Sequence, residues 1–209
     1  MRHIAIVGPE SSGKTTLCES LATHYAAPYV EECARDFLEE QGGQYAEADL
    51  RTIASVQHDV AIMRLNDGWR RHQKVYDFMV PEYDPYNTGP LPVVRIPEMP
   101  LMLHDTDMIT ILIWSQEKFG RVHPDIEQLV QTTHYDHWLL CRPDMPWEED
   151  PLRENPHDRD RLFMIYERTL QELGRPYTIM EGPHEERMRE AITIIDALIH
   201  SDPVKEREV

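Results

Sequence analysis

Ile4-Ala5-Ile6-Val7-Gly8-Pro9-Glu10-Ser11-Ser12-Gly13-Lys14-Thr15 is the stretch on which the fold turns. Its first four residues are an apolar, mostly β-branched run, the signature of a strand buried on both faces. The next eight fit G-x4-G-K-[ST], with glycine at both ends of a tight loop and lysine followed by a hydroxyl. Glycines let such a loop curl so that its amide N–H groups converge, and a helix opening at the lysine adds its own unpaired amides. A strand before the motif and a helical pattern from Gly13 to about Tyr25, carrying Leu17 and Leu21, supply the required context. The loop is therefore read as a phosphate cradle built from Gly8, Glu10, Ser11, Ser12, Gly13, Lys14, Thr15 and Thr16. Lys14 would neutralise β and γ phosphates, and the Thr15 hydroxyl would ligate Mg²⁺, so ATP and Mg²⁺ are the expected cofactors.

Outward from the loop, short apolar runs alternate with helical periodicity. Strands are expected at Tyr29-Val30, at Leu101–His104 running into Asp105, at Trp138–Cys141 and at Tyr177–Met180. Helices are expected through Ala34–Leu38, from about Glu47 to Asn66, over Ile109–Lys118, from Pro124, over Arg159–Leu173 and over Glu185–Ile199. Strand–helix alternation predicts an α/β fold with a parallel sheet covered on both faces, here the P-loop nucleoside triphosphate hydrolase fold. The whole chain, 1–209, is read as a single domain. Residues 77–100 carry Pro81, Pro85, Pro90, Pro92, Pro97 and Pro100 and are read as a proline-rich insertion. It would either cover the acceptor pocket or form a homo-oligomer contact. Residues 142–158 are read as a lid loop and 201–209 as a frayed tail.

Composition narrows the partners. The chain holds 21 Lys+Arg against 38 Asp+Glu, a formal charge of −17. Nucleic acids and anionic membranes are held by clustered cations, which this sequence lacks. No stretch approaches the roughly 18 apolar residues of a membrane span, and MRHIAIVG has no signal-peptide form. Three scattered cysteines, Cys18, Cys33 and Cys141, argue against a disulfide framework and suit a reducing cytoplasm. His134 and His137 have metal-like spacing without a further ligand and are read as surface histidines.

The remaining site candidates come from position. Asp105, at the C-terminal end of a buried strand, stands where the metal-holding acid of such folds sits. Asp107, two residues on, shares that face as an acid, caps the following helix, or does both. Glu32 and Arg35 follow the second strand at the acceptor edge, or form only a helical ion pair. The loop from Trp147 to Asn155, with Arg153 and then Arg159 and Arg161, either closes over transferring phosphate or is a solvated charge run. Trp147 could stack on a ring, whereas Trp114, Trp138 and Tyr166 are assigned to the core and His104 beneath the site. A regulatory ATPase or nucleotide switch is the competing class, but no N-K-x-D guanine-reading motif is present.

Taken together, GPESSGKTTL, Glu32-x-x-Arg35-Asp36-Phe37, Gln57-His58, His104-Asp105-Thr106-Asp107 with Thr110, His123-Pro124 and Trp147 to Arg153 occur in one order. In that order they resemble the ribosylnicotinamide kinase domain of NadR-type NAD-biosynthesis proteins. The resemblance implies an ATP-dependent kinase that phosphorylates nicotinamide riboside to nicotinamide mononucleotide, with another nucleoside or nucleotide as the alternative acceptor. It implies Lys14, Asp105, Asp107 and Arg153 as catalytic candidates, with the base open among Asp105, Asp107 and Glu32, and Thr15 and Asp105 as metal ligands. Glu32, Arg35, Asp107 and Trp147 would then contact the acceptor. The chain opens at the kinase strand without an H-x-G-H-type nucleotidyl motif, so it is expected to form the mononucleotide but not the dinucleotide. Pro151 stands where the family often has glycine, which would stiffen the lid.

Overall fold

The computed structural model describes residues 1–79, 101–151 and 155–200. Five strands form one sheet in the order β2-β3-β1-β4-β5, and every neighbouring pair is parallel. They are β1 (Arg2–Val7), β2 (Tyr29–Val30), β3 (Leu101–Asp105), β4 (His137–Cys141) and β5 (Tyr177–Met180). The connecting helices are α1 (Lys14–Tyr25), α2 (Cys33–Glu40), α3 (Glu47–Met79), α4 (Met108–Phe119), α5 (Pro124–Thr132), α6 (Arg159–Glu172) and α7 (His184–His200). In register, Ile6 stands beside Asp105 and Val7 beside Leu140, so the ends of the three central strands share one edge.

Alternation along β1 divides the core in two. Ile4 and Ile6 pack with Leu17 and Leu21 of α1 and with Ala191 and Ile195 of α7. Ala5 and Val7 face the opposite layer, with Leu50, Ile53, Ile109, Ile113 and Phe163. These four of the six β1 residues are wholly buried. Each full burial of such a side chain is worth about 1.5–3 kcal/mol relative to exposure, so β1 is the axis on which both layers depend. A sheet clothed on both faces leaves its strand ends as the natural opening for a ligand.

Two expectations change here. α3 does not stop at Asn66 but continues to Met79, so residues 77–79 end a helix rather than begin the insertion. Asn66, Asp67 and Gly68 are weak helix formers, yet no proline interrupts before Pro81. Residues 80–100 of the insertion, 152–154 of the lid and the tail 201–209 lie outside the described residues. His137 is not a surface residue: it opens β4, is half-buried, and shares a hydrogen bond with Thr178 at 2.9 Å. Burial lowers its pKa. Among the described residues no group of three or more His, Cys, Asp or Glu side chains could hold a metal, and no helix is long and apolar enough to cross a membrane.

Candidate active site

At the C-terminal edge of β1, the loop from Gly8 to Gly13 turns tightly against β4. Gly8 has φ 143°, and a Cβ there would lie 2.6 Å from the Cys141 carbonyl oxygen, so only glycine fits. Gly13, at φ 80°, is the N-cap of α1, and a Cβ on it would meet the Met145 side chain at 2.7 Å. Between them Ser11 holds a left-handed φ of 52° without being glycine. Such a conformation costs on the order of 1–3 kcal/mol and persists where the surroundings over-determine it. α1 has no side-chain cap and no acid in its first turn. Its first amides thus keep their hydrogen-bonding capacity, and its positive dipole end faces the loop. Lys14 folds back over the loop and donates to the Pro9 carbonyl at 3.0 Å.

Asp105 ends β3 beside this loop. Thr15 donates its hydroxyl to Asp105 Oδ2 at 2.6 Å, while Asp105 Oδ1 is buried and has no hydrogen-bond partner among the described residues. Burial pushes the Asp105 carboxyl up to about 6, against the opposing effects of the Thr15 hydroxyl and Lys14. A buried carboxylate oxygen without a partner, next to a threonine hydroxyl, is a donor set suited to a hard divalent cation. Mg²⁺ is held by few protein oxygens and completes its shell with water and phosphate. The residues present therefore fit Mg²⁺. Thr106 follows in a left-handed turn, φ 82°, and lines the cleft.

Asp107, two residues on, does not share that role. It is 1% exposed and both oxygens are committed. Oδ1 accepts from the Thr110 amide at 3.1 Å, capping α4, and from the Thr110 hydroxyl at 3.3 Å. Oδ2 accepts from the Trp138 indole N–H at 2.7 Å. Burial raises the pKa of this carboxyl. Of the two readings that sequence left open for Asp107, the geometry shows the α4 cap, tied into the core.

A cleft of about 410 Å³ is lined by the phosphate loop together with residues of α2, α4 and α6. Glu32, Leu38, Tyr45, Ile113, Trp114 and Tyr166 are among its walls. Glu32 is the N-cap residue of α2 but makes no side-chain capping bond. Arg35 does not pair with it as a helical neighbour. Instead it bonds Asp150 of the lid at 2.5 Å and Glu39 at 3.5 Å, joining α2 to the lid. Trp114, assigned to the core from sequence, is half-buried and donates its indole N–H to the Tyr45 hydroxyl at 2.6 Å. The two rings meet edge to face at 4.9 Å. Tyr166 is buried as expected, yet its edge reaches the cleft.

The lid is fastened to the phosphate loop. The Asn155 amide donates to Glu10 Oε2 at 3.0 Å, and the Glu148 amide donates to Ser11 Oγ at 3.1 Å. Trp147 is not among the cleft-lining residues; the Arg159 guanidinium lies over its ring, 5.6 Å from the centroid. Arg161 pairs with Asp158 and Glu117. Arg153 lies outside the described residues. Sequence reasoning missed Tyr45, Trp114 as a cleft wall, and Arg187. Arg187 is a fully buried cation from α7 that reaches the phosphate loop.

Comparison with known proteins agrees with this fold. The chain is 25% identical over 168 residues to the trifunctional NAD biosynthesis/regulator protein NadR of Salmonella typhimurium, covering 77% of this chain. It spans 33% of the length of that relative. Two crystal structures of a NadR protein superpose over 96% of this chain. One, in complex with NR, gives a TM-score of 0.66 at 19% identity and is covered over 52% of its length. The other, with NAD and AMP-PNP, gives 0.69 at 20% identity and is covered over 50%. Deoxyadenosine kinase from M. mycoides shares the fold at a TM-score of 0.54 and 9% identity, over 94% of this chain and 100% of its own. The AAA domain family matches residues 3–78 and 94–187, with 79–93 of the proline-rich stretch between the two segments, and the chain belongs to that family.

Proposed function

We propose that this chain is an ATP-dependent phosphotransferase whose acceptor is nicotinamide riboside, acting in the cytoplasm. The observation that carries the reading is that one cleft is lined by the phosphate loop, by the aromatic side chains of Tyr45, Trp114 and Tyr166, and by Glu32. The aromatic lining suits a flat ring, and Trp114 offers π surface that favours a cationic one, whereas the Tyr45 face already carries the Lys118 ammonium, 4.9 Å from its centroid. The nicotinamide ring of the riboside is such a cation. The likeness to NadR proteins, one of them in complex with NR, supports the same acceptor.

In this reading the phosphate loop and Lys14 bind the triphosphate, and the acceptor lies with its 5′-hydroxyl toward the γ-phosphoryl group. Thr15 and Asp105 would hold Mg²⁺, whose charge offsets that of the β and γ phosphates. The 5′-oxygen forms the new P–O bond, the bond from the γ-phosphorus to the β–γ bridging oxygen breaks, and ADP leaves. Glu32 accepts the hydroxyl proton, since Asp107 is committed to α4 and Trp138. Closing the lid through Arg35 and Asp150 excludes water, which would otherwise compete with the acceptor.

The test is coupled ADP release from Mg²⁺-ATP, with and without nicotinamide riboside, followed by a panel of other ribosides. Riboside-dependent ADP with formation of the mononucleotide is the expected result. ADP release indifferent to every riboside would remove the kinase reading and leave a nucleotide switch. Preference for an uncharged nucleoside would keep the reaction and change the acceptor.

A further inference from the structure

A phosphate loop works only if its amides face the ligand. In a trans peptide the carbonyl and the following N–H point in opposite directions. Every amide turned toward phosphate therefore turns the preceding carbonyl outward, where it needs a donor of its own. Two consecutive carbonyls of this loop have one, and both donors are arginines. Arg159 Nη1, from the first residue of α6, donates to the Ser11 carbonyl at 3.0 Å and to the Met145 carbonyl at 3.1 Å. Arg187 Nη1, from α7, donates to the Ser12 carbonyl at 2.7 Å. The amides that follow those carbonyls belong to Ser12 and Gly13, and both residues line the cleft.

Arg187 has almost no freedom. It is 1% exposed, and its Nε donates to the Gly182 carbonyl at 2.9 Å. Its Nη2 donates to the Arg142 carbonyl at 2.9 Å and to the Asp144 carboxylate. One planar guanidinium thus ties together the loops that follow β1, β4 and β5. A lysine cannot reproduce that fork. Arg159 differs, because a single nitrogen bridges two carbonyls.

We infer that Arg187 and Arg159 are positioning residues of the phosphate loop: they hold the Ser11 and Ser12 carbonyls outward, so that the Ser12 and Gly13 amides stay turned to the ligand, and neither touches phosphate. For Arg159 this reverses the sequence expectation, in which it joins the cations set against the anionic ligand. The inference rests on the loop binding a nucleotide.

The experiment is calorimetric titration of ADP and of AMP-PNP, each with Mg²⁺, into the full chain and into Arg159→Gln, Arg159→Lys and Arg187→Lys. Folding of each variant is checked by thermal unfolding. Arg159→Gln is expected to weaken both nucleotides by the same factor, about tenfold, the worth of a hydrogen bond to a charged group. Arg159→Lys is expected to restore affinity to within about threefold, since one ammonium can serve both carbonyls. Arg187→Lys is expected to weaken both nucleotides by about tenfold or more, because one ammonium cannot span three loops. Loss of AMP-PNP affinity with ADP unchanged in Arg159→Gln would make Arg159 a γ-phosphate contact and overturn the inference. Folded variants that bind both nucleotides like the parent would reduce the arginines to scaffolding and also overturn it. If Arg187→Lys does not fold, the Arg159 pair decides. A parent chain that binds neither nucleotide would instead refute the nucleotide reading beneath it.

Discussion

Asp107→Asn separates a structural acid from a catalytic one. Asparagine caps helices as well as aspartate, so the bond from the Thr110 amide to Oδ1 should survive. The other oxygen becomes an NH₂ group facing the Trp138 indole N–H, a donor opposed to a donor. Trp138 is 1% exposed, so its N–H cannot turn to water. An orphaned buried donor costs about 1–3 kcal/mol, and bonds to charged acceptors lie toward the upper end. Removing a buried charge returns part of that, leaving a net loss of about 2 kcal/mol. For a chain of this size that lowers Tm by roughly 4–8 °C. Urea unfolding reads the loss, and ADP release at 25 °C reads kcat. Against an ordinary stability of about 5–15 kcal/mol the variant stays folded at that temperature, so kcat should hold within about twofold. Adding W138F removes the indole donor, and the double-variant cycle should show about 1–2 kcal/mol of coupling. An unchanged urea midpoint with kcat reduced about a hundredfold or more would make Asp107 the base and refute the assignment.

Lys14→Ala should abolish turnover while leaving the unfolding midpoint nearly unchanged, because among the described residues the Lys14 ammonium donates only to the loop carbonyl of Pro9; retained turnover would show that the loop is not catalytic. Trp114→Leu keeps apolar bulk but removes the π face, so KM for nicotinamide riboside should rise about threefold to tenfold with little change for an uncharged nucleoside, in steady-state assays. An equal rise for both acceptors would reduce Trp114 to a packing wall.

What sequence could disclose follows from how local each signal is. The phosphate loop and its strand were legible because run, glycines, lysine and hydroxyl lie within twelve consecutive residues. Asp105 was legible from its place at the end of an apolar strand. Asp107 stayed ambiguous because its deciding partner, Trp138, lies 31 residues away on another strand. Trp114 was assigned to the core because α4 reads Met-Ile-Thr-Ile-Leu-Ile-Trp, apolar nearly all round, and periodicity cannot mark which side meets a cleft. Arg187 carried no signal at all: it sits in a helical turn full of charges, and its carbonyl partner on Ser12 is 175 residues distant. Arg35 looked like a partner of Glu32 by spacing, yet it took Asp150, 115 residues on.

The −17 charge takes on a different meaning once these partners are known. Among the described residues the arginines near the phosphate loop are engaged: Arg35 by Asp150 and Glu39, Arg161 by Asp158 and Glu117, Arg159 by backbone carbonyls, and Arg187 by backbone carbonyls and the Asp144 carboxylate. Among the described residues anion binding therefore falls chiefly to Lys14, the loop amides and the uncapped start of α1. Amides at contact distance act through short hydrogen bonds that salt screens little, whereas the repulsion of a nucleotide by the acidic shell is long-range and is screened. Attraction of a cationic acceptor to the same shell is screened too. Raising salt from about 0.05 to 0.5 M shortens the Debye length from roughly 14 to 4 Å. It should leave ADP affinity unchanged or improved while raising KM for nicotinamide riboside. Calorimetry and initial rates over that range read the two signs separately. Parallel weakening of both ligands would mean that free cations, not amides, hold the phosphates, and the backbone account of this loop would be wrong.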